Sequence, residues 1–189
     1  MRIGNTVEEG KLGGPQIRIV RVSEALKGTV ETVVILPKVN SENFRKLCAK
    51  SSVEFRPIHL TRITKELSPA LAFMFTSPLE VVQLAILFRK ERFALVHASG
   101  GSWQYKAILA ARLAGIPSVW HLNDTKAPDF VLWVFKNISF LATGFIFSSQ
   151  RTEEYYRPLI KSDVPTAVVP PALGFEFFND NNDDAQNSC

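Results

Sequence analysis

Seven short runs rich in apolar and β-branched residues alternate with stretches of helical periodicity, and this alternation restricts the fold of the 189-residue chain most. The strand-like runs are Arg2–Val7, Thr32–Leu36, Glu54–Leu60, Ala94–Ala98, Ser118–Leu122, Gly144–Ser148 and Thr166–Val169. The helical stretches are Pro15–Lys27, Ser41–Lys50, Leu79–Arg92, Trp103–Ala114, Asp129–Leu141 and Gln150–Leu159. Several strands are apolar along their whole length, as strands buried on both faces are, and parallel sheets lie between helices in that way. The expected fold is therefore α/β: a doubly wound, mainly parallel sheet of about seven strands.

Helix boundaries carry their own signals. Ile19, Val22 and Leu26 line one face of the first helix, and Gly28 stops it. Ser41 is placed to cap the second. Arg89, Lys90 and Arg92 gather at the end of the third, where the helix dipole favours cations. The fourth ends in Gly115, with Pro117 shortly after. The length suits one domain, residues 1–178, followed by an Asn/Asp-rich segment, 179–189, expected to be disordered.

Charge and cysteine content narrow the class. The 22 bases exceed the 18 acids, and three of those acids lie in the tail, so the body carries 22 bases against 15 acids, a net charge of +7. Such a body favours anionic partners such as nucleotide phosphates or acidic lipid head groups. Nucleic acid ranks last, since no basic-aromatic RNA motif or zinc-finger spacing is present. Cys48 and Cys189 form no redox or metal spacing, so a reduced, cytoplasmic protein without a metal or cofactor is expected. Pro69–Phe88 and Phe130–Phe147 are apolar, but Ser77-Pro78 and Glu80 break the first. Lys136, Asn137 and Gly144 interrupt the second, so both read as buried helices rather than membrane spans. Peripheral contact with the inner face of a membrane remains an expectation for so basic a body.

Ligands of open α/β sheets bind beyond the C-terminal ends of the strands. After the first strand come Glu8, Glu9 and the loop Lys11-Leu12-Gly13-Gly14-Pro15-Gln16. Its paired glycines allow positive φ and close backbone approach, and Pro15 suits a helix start whose free amides attract anions. A tight strand-to-helix turn is the plainer alternative. Ser99-Gly100-Gly101-Ser102 follows the fourth strand, His121-Leu122-Asn123-Asp124 the fifth, and Ser148-Ser149 the sixth. His121 would donate to a hydroxyl or phosphate, act as a base, or simply sit in the core. His97 has small apolar neighbours and reads as packing. Asp124 would cap a turn, Ser149 would cap the next helix, and Arg18 either decorates a solvated face or reaches an anion at the glycine loop. No Walker lysine loop, Gly-x-Ser-x-Gly elbow or metal-ligand cluster is present.

These motifs, in this order, resemble the N-terminal domain of the family-4-type retaining glycosyltransferases, which have two Rossmann-like domains in the GT-B architecture. The resemblance covers about residues 1–178. It rests on Gly13-Gly14-Pro15-Gln16 with Ser23-Glu24-Ala25-Leu26, on Phe93-Ala94-Leu95-Val96-His97, and on Ala110-Ala111-Arg112-Leu113-Ala114-Gly115-Ile116-Pro117. Val119-Trp120-His121, Phe145-Ile146-Phe147-Ser148-Ser149 and Val168-Val169-Pro170-Pro171-Ala172 with Phe175 and Phe178 complete it. The resemblance implies an acceptor-side domain in which His121 is catalytic, facing the transferred sugar. Gly13, Gly14, Gln16, Arg18, Gly101, Asn123, Asp124 and Ser149 would bind substrate or phosphate.

Implied partners are a nucleotide-sugar donor held mainly by a second domain, a sugar or lipid-linked acceptor, and a separate C-terminal half. Pro170-Pro171-Ala172-Leu173-Gly174 stands where the family usually has Pro-Asn-Gly-Val-Asp, and these 189 residues hold no Glu-x7-Glu pair, so the donor half is expected to lie outside them. No appreciable transfer is expected from this chain alone. Alternatives are a non-enzymatic module that binds a sugar, a lipid acceptor or a protein, and half of a nucleotide-sugar epimerase.

Overall fold

The computed structural model describes residues 1–61 and 67–171. Seven parallel strands form one sheet in the order β3-β2-β1-β4-β5-β6-β7. They are β1 (Arg2–Thr6), β2 (Glu31–Pro37), β3 (Glu54–Ile58), β4 (Leu95–Ser99), β5 (Ser118–Leu122), β6 (Gly144–Phe147) and β7 (Thr166–Val168). The helices are α1 (Gly14–Ala25), α2 (Glu42–Lys50), α3 (Leu67–Lys90), α4 (Tyr105–Ala114), α5 (Asp129–Ile138) and α6 (Gln150–Tyr156). The expected doubly wound α/β fold is present. The Asn/Asp tail and the Ala172–Phe178 part of the linker motif lie outside the described residues.

Strand periodicity sorts the chain into two cores. Val34 and Leu36 of β2 meet Ile19 and Val20 of α1 and Phe44 and Cys48 of α2 on one face. Val33 and Ile35, one position out of phase, point the other way. There they join Val96, Ala98, Trp120, Phe145 and Phe147 beneath Leu84 and Phe88 of α3, Ala107 and Ile108 of α4, and Phe135 of α5. Trp120, Phe135, Phe145 and Tyr156 pack at ring-centroid distances of 4.8–6.4 Å. Each such pair contributes about 0.5–1.5 kcal/mol beyond its burial. Gly4 is required by this packing, since a Cβ there would lie 2.7 Å from the Phe93 ring.

Two local expectations are corrected. Ser77-Pro78 does not break the third helix; α3 runs through Pro78. An interior proline costs about 3 kcal/mol, whereas burying Leu84, Ala85 and Phe88 contributes about 1.5–3 kcal/mol for each large side chain. Ser41 stands at the N-cap of α2, but its hydroxyl donates to the carbonyls of Pro37 and Lys38 and makes no cap bond. Among the described residues no helix is long and apolar enough to cross a membrane.

Candidate functional site

The strand order reverses between β1 and β4, and doubly wound sheets bind ligands outside such a switch point. The two glycine-rich loops follow these same two strands. Gly13, Gln16, Gly100 and Gln104 consequently line one cleft of about 270 Å³, together with Glu9 and Lys11. A cleft of about 420 Å³ lined by Lys27, Glu31 and Glu54 lies at the opposite rim, at the strand starts, away from these loops.

The first loop achieves its shape differently from the sequence expectation. Neither Gly13 nor Gly14 has a positive φ. Gly13 is the extended N-cap of α1, and a Cβ on Gly14 would meet nothing within 4 Å. Their smallness leaves backbone accessible above the cleft but is not needed for the turn. Gln16 is buried, and its Nε2 donates to the Glu9 carbonyl at 3.0 Å, fastening the loop to the helix.

The second loop does need its glycines. Gly100 and Gly101 have φ of +132° and +101°, a region costly for other residues. Asp124 holds this loop, accepting from the Ser102 hydroxyl at 2.9 Å and the Ser102 amide at 3.3 Å. Trp120 Nε1 donates to the Gly101 carbonyl at 3.0 Å. Asn123 lies close by, its Oδ1 3.0 Å from where a Gly101 Cβ would stand. Ser149 caps α6, its hydroxyl accepting from the Thr152 amide at 3.2 Å. Asp124 and Ser149 thus have structural partners, and with Asn123 they line neither the loop cleft nor the histidine pocket.

Strand register assembles that second pocket. Asn5 on β1 pairs with His97 on β4, and His97 lies opposite Val119, two residues before His121 on β5. All of them point toward α1. Arg18, Ile19 and Val22 of α1 close a pocket of about 140 Å³ over Asn5, His97, His121 and Ile146. Arg18 Nη2 lies 2.9 Å from His121 Nδ1, His97 Nε2 lies 3.1 Å from the same nitrogen, and His97 Nδ1 lies 2.8 Å from Asn5 Oδ1. His121 Nε2 is buried with no partner. Burial, and secondarily Arg18, pushes His97 down to about 4; burial with Arg18 and His97 pushes His121 down to about 2. Both rings are neutral at physiological pH. Burial lowers the Arg18 guanidinium from its ordinary value, which leaves it charged.

His97, expected to serve packing, also has polar neighbours: its Nε2 lies 3.1 Å from His121 Nδ1 and its Nδ1 2.8 Å from Asn5 Oδ1. Asn5 was missed, although a polar residue inside an apolar strand was a usable signal. Also missed was a buried ionic cluster at the base of the first loop. Lys106 Nζ donates to Glu80 Oε2 at 2.6 Å and lies 3.6 Å from Glu8 Oε2, all three side chains being buried. The Glu8 amide donates to Gln104 Oε1 at 2.9 Å, which ties the cluster to the loop cleft. Burial pushes Glu8 up to about 7, with Lys106 opposing and Glu80 adding to the rise.

A parallel sheet with two glycine-containing loops at its switch point defines a doubly wound, Rossmann-like domain. The model of Glycosyltransferase Family 4 matches residues 12–174, and the chain belongs to that family. HepE from Anabaena, solved in complex with UDP, shares the fold with a TM-score of 0.73 and 18% identity over 99% of this chain and 50% of that one. MurG from Acinetobacter baumannii does so with a TM-score of 0.62 and 16% identity, covering 94% of this chain and 48% of that one. A putative UDP-N-acetylglucosamine 2-epimerase from Listeria monocytogenes has a TM-score of 0.60 and 11% identity, covering 88% of this chain and 44% of that one. The chain spans about half the length of each of these proteins. A search of curated protein sequences found no match. The epimerase alternative is not favoured, because the matching family is one of glycosyltransferases and the epimerase likeness is one of fold.

Proposed function

We propose that this chain is the acceptor-side half of a retaining, nucleotide-sugar-dependent glycosyltransferase whose donor is held mainly by a second Rossmann-like domain. One observation carries the reading: Arg18 and His121 meet beside the glycine loops in the pocket over the sheet. Among the described residues Arg18 has no carboxylate partner, and His121 Nε2 has none of any kind. Buried polar groups left unpartnered by a fold are suited to pair with a ligand. As the sugar–phosphate bond breaks, charge grows on the departing phosphate. Arg18 and the free amides at the start of α1 supply positive potential for it. His121, neutral and with Nδ1 already engaged, serves as a donor to the transferred sugar rather than as a base. Gly13 and Gly14 give the substrate access to backbone, while Gly101, whose amide and carbonyl are engaged by His121 and Trp120, shapes the second loop with Asn123 beside it, and Gln16, Asp124 and Ser149 hold the surrounding loops.

Transfer is tested by supplying the chain with a donor-binding second half and following nucleotide release and glycosyl product together. The pair should turn over and the chain alone should not, and Arg18→Met should lower turnover by about 10²-fold, the usual effect of losing one transition-state donor. Robust transfer by the chain alone, or an unchanged rate in Arg18→Met, would overturn the proposal.

A lipid-linked acceptor and peripheral membrane attachment are part of the proposal. Phe130, Trp133 and Phe140 are 60%, 65% and 56% exposed. Lys136 follows Trp133 by one turn on α5, and Lys161 Nζ sits 5.8 Å from the Phe140 ring centroid. Aromatic rings beside lysines suit the head-group region of an anionic bilayer. The chain should co-sediment with anionic vesicles, and Phe130→Ala with Trp133→Ala should abolish this. No enrichment over zwitterionic vesicles would remove the membrane part.

A further inference from the structure

We infer that Asn5 and His97 are positioning residues that hold His121 as its Nε2–H tautomer, so that the site presents a hydrogen-bond donor at that nitrogen. The inference follows from donor accounting. A guanidinium has donors only, so at 2.9 Å from Arg18 the Nδ1 of His121 must accept. A neutral His121 therefore carries its proton on Nε2, the buried atom without a partner. His97 Nε2, 3.1 Å from the same Nδ1, can only approach as an N–H donor as well. That leaves His97 Nδ1 as an acceptor, 2.8 Å from the place that Asn5 Oδ1 occupies, so the oxygen and nitrogen of that amide must exchange positions. The amide must then present its NH2 group, which a half-turn about its last bond allows.

The chain of donors runs one way: Asn5 to His97, and His97 with Arg18 to His121. A reversed order would set two N–H groups against each other at His121 Nδ1. A second proton on either ring is opposed by burial and by the adjacent Arg18 charge. The three strands and one helix that contribute these groups are fixed by sheet register, so the tautomer is set by the fold before any ligand arrives.

The consequence for transfer rests on the proposed function, but the tautomers can be read without it. The full 189-residue chain, labelled with nitrogen-15, is measured by long-range proton–nitrogen NMR. His97 and His121 should each show a pyrrole-type Nε2 and a pyridine-type Nδ1, with His59 on the surface as reference. Because free histidine can adopt this tautomer unaided, the variants decide. Asn5→Asp offers His97 only an acceptor, so it should protonate His97 Nδ1 and shift both ring nitrogens of His121, which residue 5 does not touch. Arg18→Met removes one donor and should leave His121 as Nε2–H, held by His97.

A proton on Nδ1 of either ring in the unmodified chain, or unchanged His97 and His121 spectra in Asn5→Asp, would overturn the inference. So would loss of the His121 tautomer in Arg18→Met, which would make Arg18 the residue that sets it. If Asn5→Asp fails to fold, Asn5→Leu gives the same reading through loss of the single His97 tautomer. With the second half supplied, Asn5→Asp should lower kcat with little change in acceptor KM. Absence of transfer in every form would refute the proposed function and leave the tautomer result standing.

Discussion

Replacing Glu8 with glutamine should change the pH dependence of stability in a defined direction. Glu8 and Glu80 share one buried ammonium, that of Lys106, so one carboxylate is in excess. The folded protein relieves this by keeping a proton on Glu8, whose pKa rises from 4.5 to about 7. Below pH 4.5 the folded and unfolded chains both hold that proton. Between pH 4.5 and 7 the unfolded chain releases it while the fold retains it, so stability falls as pH rises, and above 7 it levels off. At 1.36 kcal/mol per pKa unit, the loss is about 3 kcal/mol.

Glutamine has no proton to lose. Glu8→Gln should therefore be close to neutral at pH 5 and stabilising by about 2–3 kcal/mol at pH 8. With a urea m-value of about 2 kcal/mol/M, the midpoint at pH 8 rises by about 1–1.5 M. His97 and His121 pull the opposite way, since their lowered pKa values add stability as pH rises toward 6.5. Both forms contain those histidines, so their contribution cancels in the difference between variant and parent. Urea titrations of the two proteins at pH 5 and pH 8 provide the measurement. An equal difference at both pH values would refute the account of the cluster.

Lys106→Met leaves two buried carboxylates without their cation and should cost about 3–5 kcal/mol at pH 8, and less at pH 5, where Glu8 holds its proton; urea midpoints at the two pH values check it. Gly101→Ala places a Cβ at φ +101° and 2.8 Å from Asp124 Oδ1, so thermal unfolding should show a loss of about 1–3 kcal/mol. Gly14→Ala meets open space at ordinary φ and should leave the melting temperature unchanged, while lowering transfer in the two-half assay if substrate approaches the backbone there.

Much of the site was legible as a set of loops. Gly13, Gly100, Gly101 and Asp124 follow strand-like runs and His121 lies near the end of one, and a parallel sheet gathers the ends of its strands along one rim. Their individual duties were not legible. Asp124 could as well have faced a ligand as Ser102, and Ser149 could have met a phosphate rather than the Thr152 amide. Those choices depend on distances of 3 Å between residues far apart in sequence. His97 illustrates the limit: its sequence neighbours are apolar, but its neighbours in space are Asn5 and His121.

Alternation of apolar strands with amphipathic helices was sufficient to determine the doubly wound sheet, because periodicity and connection length are local properties of the chain. Only the tertiary structure decided which polar groups became partners. Parallel register set Asn5 opposite His97 and put His121 on the same face, and the crossing of α1 brought Arg18 over them. Burial then kept two histidines neutral and raised the proton affinity of Glu8, since the cost of charge depends on what surrounds a residue rather than on what precedes it.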